Sequence, residues 1–151
     1  MTKRPKVSRQ QRKTLARIVV RSAPRDQRRA ILQAGALSIP AAIGRSGRTS
    51  RKREGDGATP IASMPLLYAY HRGDRIKPPP SQLRLLRTRG DMLWCDEPKN
   101  PAYNRLVKAP FKPSHERMMR KDRLYDVCLV MDTGAMSARH RDFYIRKKGQ
   151  P

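Results

Sequence analysis

Proline and glycine interrupt this sequence too often for long helices: 13 prolines and nine glycines are spread along 151 residues. Proline removes a backbone donor and both residues break regular elements. Short apolar and β-branched runs lie between these breaks, and no segment of useful length follows a helical period. We therefore predict a mostly-β domain over residues 17–132. A disordered basic arm over 1–16 precedes it, and a basic tail over 133–151 follows it.

Several runs predict individual elements. Ile18-Val19-Val20 predicts a short strand. Ala30–Gly35 and Ala36–Gly44 predict a hairpin that turns near Ala34-Gly35, and Pro40 limits its second strand to a sheet edge. Further predictions are strand-like segments at Thr59–Tyr70, Leu83–Leu86 and Met92–Cys95, a turn at Gly90-Asp91, one or two helical turns at Ser114–Lys121, and a strand buried on both faces at Leu124–Met131.

The charge of the chain is strongly positive and uneven. The net charge is +23, and residues 1–53 hold 16 Lys or Arg against one acid, Asp26. Such a field attracts nucleic acid, anionic lipid or cell-wall polymer. The plainer alternative is a solvated arm that binds polyanions without specificity. The first 67 residues contain no Phe, Trp or Tyr, so nothing there would stack on bases.

The cysteines and histidines give no metal signal. Cys95 and Cys128 are not in a C-x-x-C pair, and His71, His115 and His140 stand singly, so we predict no metal site and no cofactor. Nor is a secretory signal predicted, because the apolar run at residues 18–20 is followed at once by a base. No apolar run approaches the roughly 20 residues of a membrane span. As read, without a visible export signal, the sequence indicates a cytoplasmic location, but it does not determine the compartment.

One short motif has a well-known precedent. Asp132-Thr133-Gly134-Ala135 follows an apolar run and matches an aspartic-protease signature. That chemistry needs two aspartates sharing a proton. Only 17 residues follow Gly134, and they are strongly basic. We therefore interpret this motif as a strand that ends at a D-x-G turn.

A longer pattern is more specific. Its parts are Gly44-Arg45-Ser46-Gly47, Lys52–Pro60 with the string E-G-D-G-A-T-P, Trp94–Pro98, Pro101–Asn104 and Leu124–Val130. In order and approximate spacing they resemble the L,D-transpeptidase catalytic-domain family (YkuD-like), from about Ile18 to Met131. One departure follows Pro60, where the family usually has G-x-F and this chain has Ala62-Ser63-Met64.

The resemblance implies an incomplete β-sandwich or barrel of L,D-transpeptidase type with long loops, and peptidoglycan stem peptides as partners. Members of the family form a thioester on a Cys and pass the acyl group to an amine, which makes 3→3 cross-links. This chemistry takes place in the cell envelope, whereas the sequence as read indicates the cytoplasm. The residues expected to order the loops around such a site, or to make ordinary turn and strand-end hydrogen bonds, are Glu54, Asp56, Thr59, Trp94, Asp96, Asn104 and Asp126.

The family's T-x-G-C segment, with its nucleophile, and the His that precedes it do not occur in these 151 residues. We therefore expect no catalytic residue and no transpeptidase activity in this chain. Cys95 lies beside Asp96 and Glu97, which disfavour a thiolate there. Alternatively, the chain is a small basic protein that binds nucleic acid or another polyanion through residues 1–53.

The tail offers an explanation for the missing segment. Arg139–Ile145 can be encoded so that reading one nucleotide later gives Gly-Thr-Ala-Ile-Phe-Ile, an apolar strand of the kind that the family has there. We expect a frameshift near residue 138. Resequencing the locus tests this expectation, which fails if neither other reading frame encodes a T-x-G-C segment downstream.

Overall fold

The structure, a computed structural model, describes residues 17–133, so the predicted arm over 1–16 and nearly all of the predicted tail lie outside it. The chain divides into two compact units, residues 1–61 and 62–151. The described residues form strands and no helix, which confirms the mostly-β class. None of them therefore belongs to a helix that could cross a membrane.

Eleven strands make up the described part of the chain. They are β1 (Ile18–Ser22), β2 (Arg29–Ala34), β3 (Leu37–Ala42), β4 (Arg48–Thr49), β5 (Thr59–Pro60), β6 (Leu66–His71), β7 (Arg84–Arg87), β8 (Met92–Cys95), β9 (Leu106–Lys108), β10 (His115–Arg117) and β11 (Val127–Met131).

The first unit is built on an antiparallel meander with the strand order β1-β2-β3. The β2–β3 turn contains Gly35 at φ 61°, a left-handed conformation that glycine adopts without strain. Pro40 has no N–H to donate, and it lies on β3, an edge strand of this sheet. The predicted hairpin and the edge position of Pro40 are both confirmed. A short parallel pair, β4 and β5, closes the loop that follows the meander.

The second unit contains two three-stranded sheets, with the strand orders β11-β6-β7 and β10-β8-β9. All pairs are antiparallel except β6 with β7. Buried side chains from both sheets and from the segment after β10 share one core. Its members are Tyr68, Tyr70, Met92, Met118 and Val130, and the two tyrosine rings meet edge to face at 5.5 Å.

Two local predictions in this unit were wrong. Residues 115–117 form β10 instead of a helical turn, because their backbone pairs with β8. The predicted strand at Leu124–Met131 begins only at Val127, and it is not buried on both faces. Within residues 17–133, β11 pairs with β6 alone and so lies at an edge of its sheet. Successive side chains of a strand point to opposite faces, so along β11 the more buried positions 128 and 130 alternate with the exposed positions 127, 129 and 131.

That alternation predicts the effect of shortening two adjacent side chains. Val130 is 6% exposed in the core, whereas Leu129 is 39% exposed on the opposite face of β11. We expect Val130→Ala to lower the free energy of unfolding by about 2 kcal/mol, from lost burial and a residual cavity. Leu129→Ala, which removes a larger side chain, should lower it by less than half as much.

Trp94 is the only tryptophan, and it packs against this core, so its fluorescence reports unfolding of the second unit. Guanidinium titrations of the two variants give the comparison. Equal losses of stability would show that β11 does not separate a core face from an exposed face.

Candidate functional site

The seven residues that the sequence singled out fall into two groups. Glu54, Asp56 and Thr59 belong to the loop of the first unit that we call the 44–60 loop. The other four lie in the second unit, and three of them surround β8. These four are Trp94, Asp96, Asn104 and Asp126. We therefore describe two local arrangements.

Asp56 organises the turn inside the 44–60 loop. Its Oδ2 accepts a hydrogen bond from the backbone N–H of Arg53 at 2.8 Å, and its Oδ1 accepts one from Ala58 at the same distance. Lys52 donates from Nζ to Oδ1. A short carboxylate that satisfies nearby backbone donors fixes a turn that the glycines on either side would otherwise leave loose. Glu54 is exposed at this turn.

Thr59 closes the base of the same loop. Its Oγ1 accepts a hydrogen bond from the Gly44 N–H at 2.8 Å, and its own N–H donates to Gly47 O at 2.8 Å. Gly44 must be glycine here, because a Cβ would lie 2.3 Å from the Gly57 carbonyl oxygen. Residues of both motif segments, Gly44–Gly47 and Lys52–Pro60, are therefore held in one closed loop.

The charge of Asp56 is stabilised by these contacts. Hydrogen bonds from Lys52, then from the backbone of Arg53 and Ala58, lower the pKa of this carboxyl from 3.8 to about 2. The carboxylate is therefore ionised throughout the physiological range. Its role in this geometry is to hold the loop, since a carboxyl with so low a pKa is a weak base.

Trp94 and Asn104 are joined across a turn. Trp94 Nε1 donates to Asn104 Oδ1 at 3.4 Å, and the Asn104 N–H donates to Cys95 O at 2.9 Å. Asn104 has φ 56°, which asparagine tolerates better than most residues. The Asp96 N–H donates to Ser114 O at 3.2 Å, next to β10. These contacts give Asn104 a structural role at the end of β8.

Asp126 anchors the segment that leads into β11. Its Oδ1 accepts a hydrogen bond from Arg75 Nη1 at 3.2 Å, and Arg75 also donates to the carbonyl oxygens of Lys121 and Asp122 at 2.8 Å. The buried Arg72 donates its backbone N–H to Asp126 O at 2.9 Å. Asp126 is therefore an ion-pair partner in a structural network.

The structure also brings together a pair that sequence reasoning missed. Cys95 on β8 and His115 on β10 are direct cross-strand partners, so their side chains leave the same face of the sheet. Their separation of 20 positions along the chain is no metal or catalytic signature, and no sequence signal identified the pair. Cys95 is fully buried, and His115 Nδ1 lies 2.7 Å from Pro113 O. No hydrogen bond joins the two side chains among the described residues.

Cys128 lies on the core-facing side of β11, in an environment that disfavours the thiolate. Burial, and then the charge of Glu116, raise the pKa of the Cys128 thiol. The neighbouring Tyr125 hydroxyl donates to Glu116 Oε2, and burial together with this bond raises the pKa of Tyr125 to about 12. Arg120 stacks over the Tyr125 ring, 5.5 Å from its centroid. A nucleophilic cysteine needs an electropositive, partly exposed environment that lowers the pKa of its thiol. The surroundings of Cys128 have the opposite effect, so this cluster has a packing role.

Two buried polar atoms remain without a partner in residues 17–133, His71 Nδ1 and Thr88 Oγ1. They are neighbours in the fold, since the Thr88 N–H donates to the His71 carbonyl oxygen at 2.9 Å. In the same part of the chain, no group of three His, Cys, Asp or Glu side chains could hold a metal ion. The pair therefore does not extend into a ligand set.

No family model, no curated protein and no solved structure matches this chain. The seven residues are therefore described by their contacts alone. In the first unit these contacts close the 44–60 loop. In the second unit they lie at the end of β8 and in the ion pair between Asp126 and Arg75.

The low pKa of Asp56 predicts how the loop responds to acid. Because the folded-state value of about 2 lies below the ordinary 3.8, the stabilisation is present above about pH 4 and is lost as the pH falls through 2. This stabilisation is measured by hydrogen exchange of the Ala58 amide, compared at each pH between the native chain and the Asp56→Asn variant. We expect higher protection in the native chain at pH 5, and a ratio that approaches one near pH 2.

The matched control for this experiment is Asp26→Asn, which neutralises another turn carboxylate of the first unit. It should leave the exchange of Ala58 unchanged. A pH-independent difference between the native chain and Asp56→Asn would contradict the assignment.

The burial of Cys95 and the raised pKa of Cys128 predict slow alkylation of both thiols in the native state. At about pH 8 we expect Cys95 and Cys128 to react with a thiol reagent at least roughly tenfold more slowly than in guanidinium, because one is inaccessible and the other has a raised pKa. Peptide mapping by mass spectrometry assigns the rate to each residue. A thiol that reacted in the native chain as fast as a free cysteine at pH 7 would contradict this description.

Proposed function

We propose that residues 17–133 are the scaffold of a peptidoglycan L,D-transpeptidase-type domain that binds stem peptides without forming an acyl-enzyme. In that reaction a Cys thiolate attacks the carbonyl of a donor stem and forms a thioester. An amine of a second stem then takes the acyl group. The chain contributes the binding surface of such a domain and leaves the chemical step undone.

The observation that carries the proposal is the closed 44–60 loop. The string E-G-D-G-A-T-P is specific in combination with the Trp94-Cys95-Asp96 segment, and its Asp56 and Thr59 hold the loop by 2.8 Å hydrogen bonds to backbone N–H groups. The residues of this string therefore form one defined loop, and this loop is the structural feature on which the proposal is based.

The charge around this loop suits a stem peptide. Arg45, Lys52 and Arg53 are exposed on it, and the free carboxylates of stem peptides are the natural partners of such groups. Because Asp56 fixes the backbone between these bases, it also fixes where they project. Asp56 is therefore a positioning residue for ligand binding.

The absence of turnover follows from what acyl transfer requires: a thiolate, an imidazole that manages protons, and donors for the oxyanion. The sequence has two cysteines. Cys95 is fully buried, and Cys128 is held as a thiol by burial and by Glu116. Neither meets the first requirement.

Retention on purified peptidoglycan sacculi tests the binding half of the proposal. Because Asp56→Ala releases the loop, we expect it to lower the affinity for sacculi roughly tenfold, the loss that one or two ordered charged contacts give. Asp26→Ala is the matched control, since it raises the net charge by the same amount in the same unit. Equal retention of the two variants would mean that binding depends on total charge alone.

A second candidate is a small protein that binds nucleic acid or another polyanion. The observation in its favour is the charge of the described first unit, where residues 17–61 contain ten Lys or Arg and three acids. Retention on DNA with a steep dependence on salt, and preferential displacement by one DNA sequence over unrelated ones, would support it. Equal displacement by every polyanion would identify non-specific attraction.

A further inference from the structure

The meander of the first unit has one packed face and one accessible face. Cross-strand partners share a face, so the register places Arg21 and Arg29 in adjacent rows of the same face. The two rows are Arg21, Ile31 and Pro40, and then Ala23, Arg29 and Ala42. The opposite face contains Ala30 and Ala34, which are buried. The face with the arginines is therefore the one that residues 17–133 leave open to solvent.

This accessible face forms an open cavity of about 620 Å³. Its lining is mostly apolar and includes Ala23, Ile31, Pro40 and Ala42. Cavities that hold small molecules have volumes of roughly 300–1,000 Å³, and their lining is mainly apolar with a few polar groups that orient the ligand. The cavity has this size and this composition, and the polar residues of its lining are Arg29 and Ser38.

The charge beside the cavity is positive. Arg29 Nε lies 3.5 Å from Asp26 Oδ2, but the same carboxylate also pairs with Arg28 at 3.3 Å. The Arg29 side chain remains 78% exposed. Arg21 makes no ion pair in the described part of the chain. One carboxylate thus serves two guanidinium groups and a third has none, so an anion at this face meets a net positive field.

We propose that this cavity binds a small organic acid with a carboxylate at one end and an aliphatic body. The carboxylate binds the guanidinium of Arg29, and Arg21 adds to the attraction. An arginine and a carboxylate can form two parallel hydrogen bonds, which fixes the orientation of the ligand. The inference does not depend on the proposed function, which concerns the 44–60 loop.

The spacing along β2 places the aliphatic body of the ligand. Arg29 and Ile31 are two positions apart, so they lie about 6.6 Å from each other on one face. Pro40 is the cross-strand partner of Ile31, and Ala42 is that of Arg29. A carbon chain attached to a carboxylate at Arg29 therefore lies over Ile31 and Pro40. Burial of this chain stabilises the complex in proportion to the apolar area that it removes from water.

This ligand class accounts for both halves of the cavity. Inorganic phosphate or a nucleic acid would use the arginines and leave the apolar lining uncovered, and residues 18–42 contain no aromatic side chain that could stack on a base. A purely apolar ligand would leave the charge unused. The apolar groups also lie in a concave site, which encloses part of a small molecule better than it meets a flat membrane surface.

A heteronuclear NMR titration of the full chain tests the proposal with four ligands. Octanoate has both parts of the proposed ligand, octanol has the aliphatic body without the charge, and acetate and inorganic phosphate have a charge without the body. We expect saturable binding of octanoate with a Kd of about 1 mM, and at least roughly fivefold weaker binding of the other three. The amide shifts that move with octanoate should belong to β2 and β3.

Matched variants separate the two halves of the site. Arg29→Gln removes the charge and Ile31→Thr shortens the apolar lining, and each should weaken octanoate binding roughly fivefold. Arg48→Gln is the control for charge, since it removes an exposed arginine of β4. Ile18→Thr is the control for apolar lining, since Ile18 lies on the opposite face with 37% exposure, against 40% for Ile31. Both controls should stay within about twofold of the native chain, as exposed substitutions outside a site do.

Circular dichroism of each variant establishes that the fold is retained before affinities are compared, and the comparison of ligands on the native chain needs no variant. Equal weakening by the paired variants would overturn the proposal, because only overall charge or hydrophobicity would then act. Equal binding of octanol would leave apolar adsorption alone, and equal binding of acetate or phosphate would leave a simple anion site. An absence of saturable octanoate binding, or shifts that spare β2 and β3, would contradict it as well. Retention on peptidoglycan sacculi is measured separately, so failure here leaves the proposed function standing.

Discussion

The buried guanidinium of Arg72 is the constraint around which the second unit is arranged. A charge removed from water needs partners for its donors, and Arg72 gives Nε and Nη2 to Asp74 and Nη1 to Arg120 O. Its backbone N–H reaches Asp126 O, one residue before β11 begins. Because these contacts tie the 120–126 segment to the end of β6, β11 returns to pair with a strand more than 50 residues earlier. The shared core forms on the face that this pairing closes.

The sequence was informative where structure is encoded locally. The β2–β3 hairpin follows from Gly35, which takes the left-handed conformation that its turn requires, and the edge position of β3 follows from Pro40. The errors lie where pairing is distant. His115–Arg117 has no strong strand pattern and becomes β10 only because β8 has an open edge beside it. The apolar run at β11 predicted an interior strand, and no local signal showed that one of its edges would lack a partner among residues 17–133.

The candidate residues also divide into those whose contacts are close in the sequence and those whose partners are distant. Asp56 and Thr59 act within a few residues of their own positions, or across one loop, so their turn-forming roles could be predicted from their residue types. The pairing of Cys95 with His115 could not, because it arises from the register of two strands that no sequence pattern connects. The partners of Asp126 were equally hidden, since Arg75 reaches it from 51 positions away.

The proposed function rests on one chemical claim: Cys95 is fully buried and the pKa of Cys128 is raised, so neither thiol is prepared for nucleophilic attack. Intact-mass spectrometry of the full chain after prolonged incubation with a donor stem peptide, or with a carbapenem as an acylating analogue, tests this most directly. We predict an unchanged mass, with both cysteines recovered as free thiols. A stoichiometric covalent adduct mapped to Cys95 or Cys128 would contradict the claim.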